Sequence, residues 1–233
     1  MSRLSGFFSV LLPCAVFVLV LGGAIWTIAG NQVATGLPDL LTANLKRSGV
    51  EHPVTAVLLN FRGYDTLLEI GVLVIAGVTG VSMAKTASLE DPGFRTADPL
   101  LYALQRWFVP LMLVLAGYLL WAGADRPGGA FQAGAVLAAT GVLMRLGGLP
   151  MAFLRPGFLL RAGLALGFGV FLIVAVASAV VGDAFLAYPS GVIHALILII
   201  ETALTFSIAM ILLALFVSAP VNEALDPDEG NPP

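Results

Sequence analysis

The chain predicts an all-α integral membrane protein with about six transmembrane helices, and three observations carry that expectation. Its 233 residues are 59% hydrophobic and only 11% charged, whereas soluble domains carry about 25% charged residues. The apolar residues gather into six runs, most of them near the ~20 residues that a helix needs to cross a bilayer core. Gly occurs 26 times, which suits close approach of helices in lipid.

The first expected span runs from Phe7 to Ala29. It is too long for a signal-peptide core and lacks a small-residue cleavage site, so it reads as an anchor. The second lies within Val54 to Ala84, the third runs from Trp107 to Ala122, and the fourth, a short one, from Phe131 to Leu146. The fifth is Phe158 to Val181 and the sixth Val192 to Ser218. Polar breaks with Pro and Gly separate them, at 31–53, 85–106, 124–130, 147–157 and 182–191. The tail 220–233 is acidic, with Glu223, Asp226, Asp228 and Glu229, and its composition predicts mobility.

Basic residues sort by side. Arg3, Lys85, Arg95, Arg106, Arg145, Arg155 and Arg161 fall on one side of the six-span scheme. By the positive-inside rule that side is cytoplasmic, and both termini lie on it. Lys46, Arg47 and Arg126 fall on the opposite side, with Arg62 near the head of the second span, and the Lys46–Arg47 pair in an outside loop runs against the trend. The polar stretch 85–106 is also a seam between a two-helix unit and a four-helix unit, without internal repeat.

Several function classes drop out. No basic stripe points to nucleic acid. The lone Cys14 excludes a disulfide or thiolate metal site within the chain. His52 and His194 form no ligand motif. A zinc helix, a nucleophile elbow and a phosphate-binding Gly-Lys loop are all missing. Neither an enzyme active site nor a cofactor nor a metal is expected.

The most informative run is Asn60 to Gly77, NFRGYDTLLEIGVLVIAG. It sets Arg62, Asp65 and Glu69 at the head of an apolar stretch, where charges are costly and mark ion pathways, internal pairs or caps. Read as helix, the three fall on one face, and Asp65 and Glu69 are an (i, i+4) pair. Two carboxylates in a low-dielectric site share a proton or a cation, as an ion relay requires. Arg62 could instead pair with Asp65. The competing reading is a capping box with Thr66 as N-cap and Glu69 at N3.

Two further features stand out. Pro127-Gly128-Gly129, ahead of Phe131, is hairpin-turn chemistry between two spans. Ala133, Gly134, Ala138 and Gly141 follow as a packing face. Glu201 lies midway through the last span, with His194 seven residues earlier on nearly the same face. A carboxylate so placed must face protein or water, either as a hydrogen-bonded neutral group or as part of a path.

Asn60 to Gly77 resembles the FRGFDTLGE signature at the C-terminal end of the large, A-type polypeptide of Mrp-type Na⁺/H⁺ antiporters. The same module occurs as a small separate polypeptide, the E type, in membrane-bound hydrogenases. Trp107 to Ala139, with RPGGAF, resembles the B-type family of those antiporters, whose hallmark is APGGGF. The resemblance implies a fusion: residues 1–90 as the A-end or hydrogenase-E-like module, 91–219 as the B-like module, and 220–233 as the tail. Leu68 departs from the family Gly before Glu69, and Arg126 and Ala130 depart from small residues of the B hallmark.

The resemblance implies ion-path roles for Asp65 and Glu69, with Arg62 and Glu201 as further candidates. It implies motif or packing roles for Gly63, Thr66, Pro127, Gly128, Gly129 and Phe131. The implied function is that of a membrane subunit of a multi-subunit monovalent cation/proton antiporter in a prokaryotic plasma membrane. The implied partners are other subunits of a Mrp-type or complex I-related assembly, Na⁺ or H⁺, and the lipid bilayer. The same module in a redox-driven complex, or a scaffold that only holds larger subunits, are the competing expectations.

Overall fold

The computed structural model describes residues 18–23, 26, 36–84, 99–149, 151–154, 157–181, 185–189 and 191–219. The expected first span and the acidic tail therefore lie largely or wholly outside the described residues. The chain divides into two compact units, residues 1–43 and 44–233. In the first, residues 18–23 are helical and exposed. Helix α1 (Leu37–Asn44) opens with Pro38 and Asp39 in its first turn, and the Thr42 hydroxyl donates to the Asp39 carbonyl at 3.0 Å. A 3₁₀ turn follows at Leu45–Arg47. The stretch 31–53, expected as loop, thus holds regular structure.

Among the described residues the second unit is an all-helical bundle. A short α2 (Pro53–Ala56) runs into a π-helical turn, Val57–Phe61. Then come α3 (Gly63–Met83), α4 (Pro99–Ala122), α5 (Ala130–Leu146), α6 (Phe158–Val181) and α7 (Ile193–Ser218). Four of these, α3, α4, α6 and α7, are long and apolar enough to cross a membrane. The 17 residues of α5 span about 26 Å at 1.5 Å per residue, short of a ~30 Å hydrocarbon core.

The centre of the bundle is α7. It packs against α5, α6 and α3, and 61% of its apolar stretch is buried, against 11% for α4. Its side chains Ile197, Ile200, Leu204, Ile208 and Ile211 are almost fully enclosed. Small residues let the neighbours close in. A Cβ on Gly134 of α5 would sit 2.9 Å from the Ile208 Cβ, and one on Gly141 would sit 2.8 Å from Leu213 Cδ2. On the other flank a Cβ on Gly167 of α6 would sit 2.8 Å from the Ser207 Cβ, where the Ser207 hydroxyl donates to the Leu164 carbonyl at 2.7 Å. Of the expected packing face, Gly134 and Gly141 thus lie in the α5–α7 seam, and Ala133 and Ala138 are buried.

Helix α4 begins at Pro99, eight residues before the expected Trp107, so 99–106 is helix rather than loop. Pro at a helix start has a preset φ and lacks an N–H that would be unpaired there anyway. The buried Gln105 amide also donates to the Leu143 carbonyl, tying this early turn to the end of α5. Charge and Pro content hide that anchor.

The head of α3 is shaped by a break. The Arg62 N–H reaches back to the Val57 carbonyl at 2.8 Å, closing the π turn, and Arg62 then leaves helical geometry at φ −127°, ψ 35°. The loop after α6 caps this corner. Leu186, held at φ 63° and by a 2.9 Å bond from its N–H to the Ser178 hydroxyl, lies on Gly63. A Cβ on Gly63 would meet Leu186 Cδ1 at 3.2 Å. The rings of Tyr64 and Phe185 pack beside it, tilted by 32° with centroids 5.2 Å apart.

Candidate ion-path site

The charged run sits on the first two turns of α3. Arg62 occupies the N-cap position, Gly63 is the first helical residue, and Asp65 is the acid of the first turn. Arg62 and Asp65 form an ion pair, with side chains 64% and 49% exposed. Asp65 therefore has two structural partners: the guanidinium and the partial positive charge of the helix start. Glu69 stands one turn further on, exposed, with no ion pair among the described residues.

The capping-box expectation fails here. Thr66 is inside the helix, and its hydroxyl donates at 2.7 Å to the Leu58 carbonyl in the π turn. Thr66 thus stitches α3 to the π turn instead of capping α3. Glu69, a full turn beyond the first, has no helix end to cap. The Thr-x-x-Glu spacing misled because the helix start is set upstream by the break at Arg62, which no short motif announces.

The Pro-Gly-Gly turn builds a second feature. The Gly129 N–H donates to the Leu119 carbonyl at 2.9 Å, closing the loop onto the end of α4. Gly129 has φ +106°, a region L side chains rarely adopt, which explains this glycine. A Cβ on Gly128 would sit 2.5 Å from the Leu119 carbonyl oxygen. Pro127 is exposed on the outer side of the turn. The loop is also held from the front of the chain. The N–H groups of Glu51 and His52 both donate to the Ala124 carbonyl, at 3.2 and 2.9 Å, and the buried Thr55 hydroxyl donates to the Gly123 carbonyl.

Glu201 reaches into this loop from α7. It is 4% exposed. Its Oε1 lies where a Cβ on Gly123 or Gly129 would come within 3.2 or 2.9 Å. The Ala130 backbone N–H, first of α5, donates to the carboxylate. Its Oε2 is buried without a hydrogen-bond partner among the described residues. His194, on the same helix, is exposed.

Phe131 joins the two features. It follows Ala130 and, with Asp65, Leu68, Glu69, Val72 and Leu73, lines an open groove of about 560 Å³. The structure thus brings the FRGYDTLLE and RPGGAF motifs to one end of the bundle. Glu201 joins the second motif by direct contact, while Asp65 and Glu69 meet it across the groove. Sequence reasoning missed Thr55, Gly123 and Ala130. Their roles rest on backbone groups and on the absence of a side chain, which residue type alone does not signal.

The family model described as "Domain related to MnhB subunit of Na+/H+ antiporter" matches residues 100–221. The chain belongs to this family. The MnhB-related stretch covers α4 to α7, including the Gly loop and Glu201, while the head of α3 lies before it. A probable K⁺/H⁺ antiporter A/B subunit of Rhizobium meliloti (strain 1021) is 28% identical, over 54% of this chain and 16% of its own length. A chain of the Mrp complex from Dietzia sp. DQ12-45-1b superposes with a TM-score of 0.62 at 22% identity, over 93% of this chain and 26% of that one. A chain of the membrane-bound sulfane sulfur reductase, an archaeal respiratory membrane complex, superposes with a TM-score of 0.65 at 21% identity, over 89% of this chain and 97% of that one. The MnhB-related chain shares the fold of both structures and spans only a fraction of the first two relatives.

Proposed function

We propose that the chain is a membrane subunit of a multi-subunit monovalent cation/proton antiporter of Mrp type, in the plasma membrane of a prokaryote, and carries out no reaction by itself. The observation that carries this reading is the groove shared by Asp65, Glu69 and Phe131. A carboxylate on the outer face of a membrane helix is costly in lipid. Glu69 therefore calls for water or a polar neighbour from another polypeptide of the assembly, and an ion path along their boundary supplies both. In this reading Glu69 exchanges the ion, while Asp65, held by Arg62, sets its affinity.

The fusion of an A-end module over 1–90 with a B-like module over 91–219 belongs to the same proposal. It is supported by the family match that begins at residue 100 and by fold matches that take in the front of the chain as well. A redox-driven assembly is the second reading. It is favoured by the 97% coverage of the sulfane sulfur reductase chain.

Membrane vesicles from cells lacking this chain are expected to lose cation-dependent proton exchange and to regain it when the chain is supplied in trans. Exchange that persists without the chain would reject a part in transport. Proton movement that requires an electron donor, and ignores an imposed cation gradient, would select the redox-driven reading.

Orientation follows from the same charge pattern. The Gly loop and the head of α3 share one end of the bundle, and Arg145 and Arg161 lie toward the other. We place that second end and both termini in the cytoplasm. Single cysteines at exposed Lys46 and Leu149, in a Cys14→Ser background, are expected to label from opposite sides, Lys46 from outside. Labelling of both from one side would overturn this arrangement.

A further inference from the structure

We propose that Glu201 is a proton-binding site, with the proton carried on Oε2 and the loop from Gly123 to Ala130 acting as a clamp that holds Oε1. As a part of transport the proposal rests on the antiporter reading above, whereas the protonation itself stands or falls on its own measurement. Glu201 lies eight residues into α7, about 12 Å along the axis, and is 4% exposed. Its two oxygens have opposite surroundings. Oε1 rests against Gly123 and Gly129, and the carboxylate takes the first N–H of α5. That N–H is one of the orphan donors of a helix start, aimed at an anion. Oε2 is buried without a partner among the described residues.

A buried carboxylate with one bare oxygen is unstable unless something sits on that oxygen. A proton needs one oxygen, whereas a monovalent cation needs several. Gly123, Gly129 and Ala130 bring only backbone to the carboxylate, and the one side-chain oxygen beside Glu201 Oε1 at Gly129 is the amide oxygen of Gln132, 3.8 Å from the Gly129 Cβ position. Three of the clamp's carbonyls already accept hydrogen bonds: Gly123 from Thr55, Ala124 from Glu51 and His52, and Gly129 from the Ala133 N–H. The chemistry therefore favours H⁺ over Na⁺ or K⁺ at this position.

No neighbouring charge forms an ion pair with Glu201 among the described residues. The loop carries Asp125 and Arg126, and the segment bonded to it carries Glu51 and His52. Of the packed helices, α3 brings Asp65 and Glu69, α4 brings Tyr118, and α7 itself brings His194. Arg145 of α5 and Arg161 of α6 lie toward the far ends of their helices.

The test is infrared difference spectroscopy during a pH titration of the complete native assembly in lipid nanodiscs, with and without Na⁺ and K⁺. Glu201→Gln is expected to remove one protonated-carboxyl band while the assembly stays intact. Glu201→Asp, one methylene shorter and unable to reach the clamp, is expected to keep that band but displace it. The Asp variant decides the matter should the Gln variant fail to assemble. Spectra that match the native assembly in both variants would overturn the proposal, as would a band that appears only when Na⁺ and K⁺ are withdrawn. A lost band with unchanged transport would leave the proton site standing and count against the antiporter role alone.

Discussion

Replacing Glu69 by Gln is expected to slow cation-dependent proton exchange on the order of a hundredfold, the usual worth of a positioned proton-transfer group, while the assembly forms at normal levels. The structure makes this prediction sharper than the motif does. Were Glu69 a capping residue, Gln could still serve at N3 and little would follow. It is instead a full turn beyond the first turn of α3, exposed, and lines the groove with Phe131. Loss of its charge should cost the helix less than ~0.5 kcal/mol, so a transport defect could not be assigned to misfolding. Glu69→Asp should retain part of the exchange, because the carboxylate survives one methylene short.

Asp65→Asn should behave differently. Asp65 is tied to Arg62 and to the helix start, so its loss costs about 0.3–1 kcal/mol locally and should change apparent cation affinity more than maximal rate. Transport is measured in everted vesicles, with complex content checked in parallel. Near-native exchange by the Glu69→Gln assembly would remove the ion-path role.

Replacing Gly167 by Leu is expected to give the largest structural effect. Even a Cβ at this position would lie 2.8 Å from the Ser207 Cβ and 3.0 Å from the Leu204 Cα, which belongs to the backbone of α7. A rotamer change cannot relieve a clash with backbone. The helices must part, and overpacking of this kind costs about 1–3 kcal/mol or more, a large share of a stability of roughly 5–15 kcal/mol. Parting α6 from α7 would also strain the bond from Ser207 to Leu164. The chain should accumulate several-fold less in the membrane and melt earlier in a detergent thermal shift. Gly169 is the internal control on the same helix. Its Cβ position meets nothing within 4 Å, so Gly169→Leu should be near neutral. Equal behaviour of the two variants would refute the close helix approach.

The contrast between these glycines shows where sequence reading reaches its limit. Both lie in one apolar run with the same local composition, yet only one faces α7. Membrane class, all-helical character and most helix positions were legible in the order of residues, because hydropathy and length act locally: a run of some twenty apolar residues must satisfy its own backbone, and a helix does so. The acid pair at Asp65 and Glu69 and the Pro-Gly-Gly turn were legible for the same reason, as polar groups in apolar surroundings.

What only the tertiary structure decided were relations between distant positions. The start of α3 at Gly63 depends on the π turn and on Leu186 from the loop after α6. The early start of α4 depends on Gln105 finding the Leu143 carbonyl. The meeting of Glu201 with Gly123, Gly129 and the Ala130 N–H depends on α7 lying against α5. Each is a contact in which one partner is a backbone group or a missing side chain. Backbone groups are the same at every position, so residue identity carries no signal for which of them a distant carboxylate or amide will reach, and only the packing of the helices selects the partner.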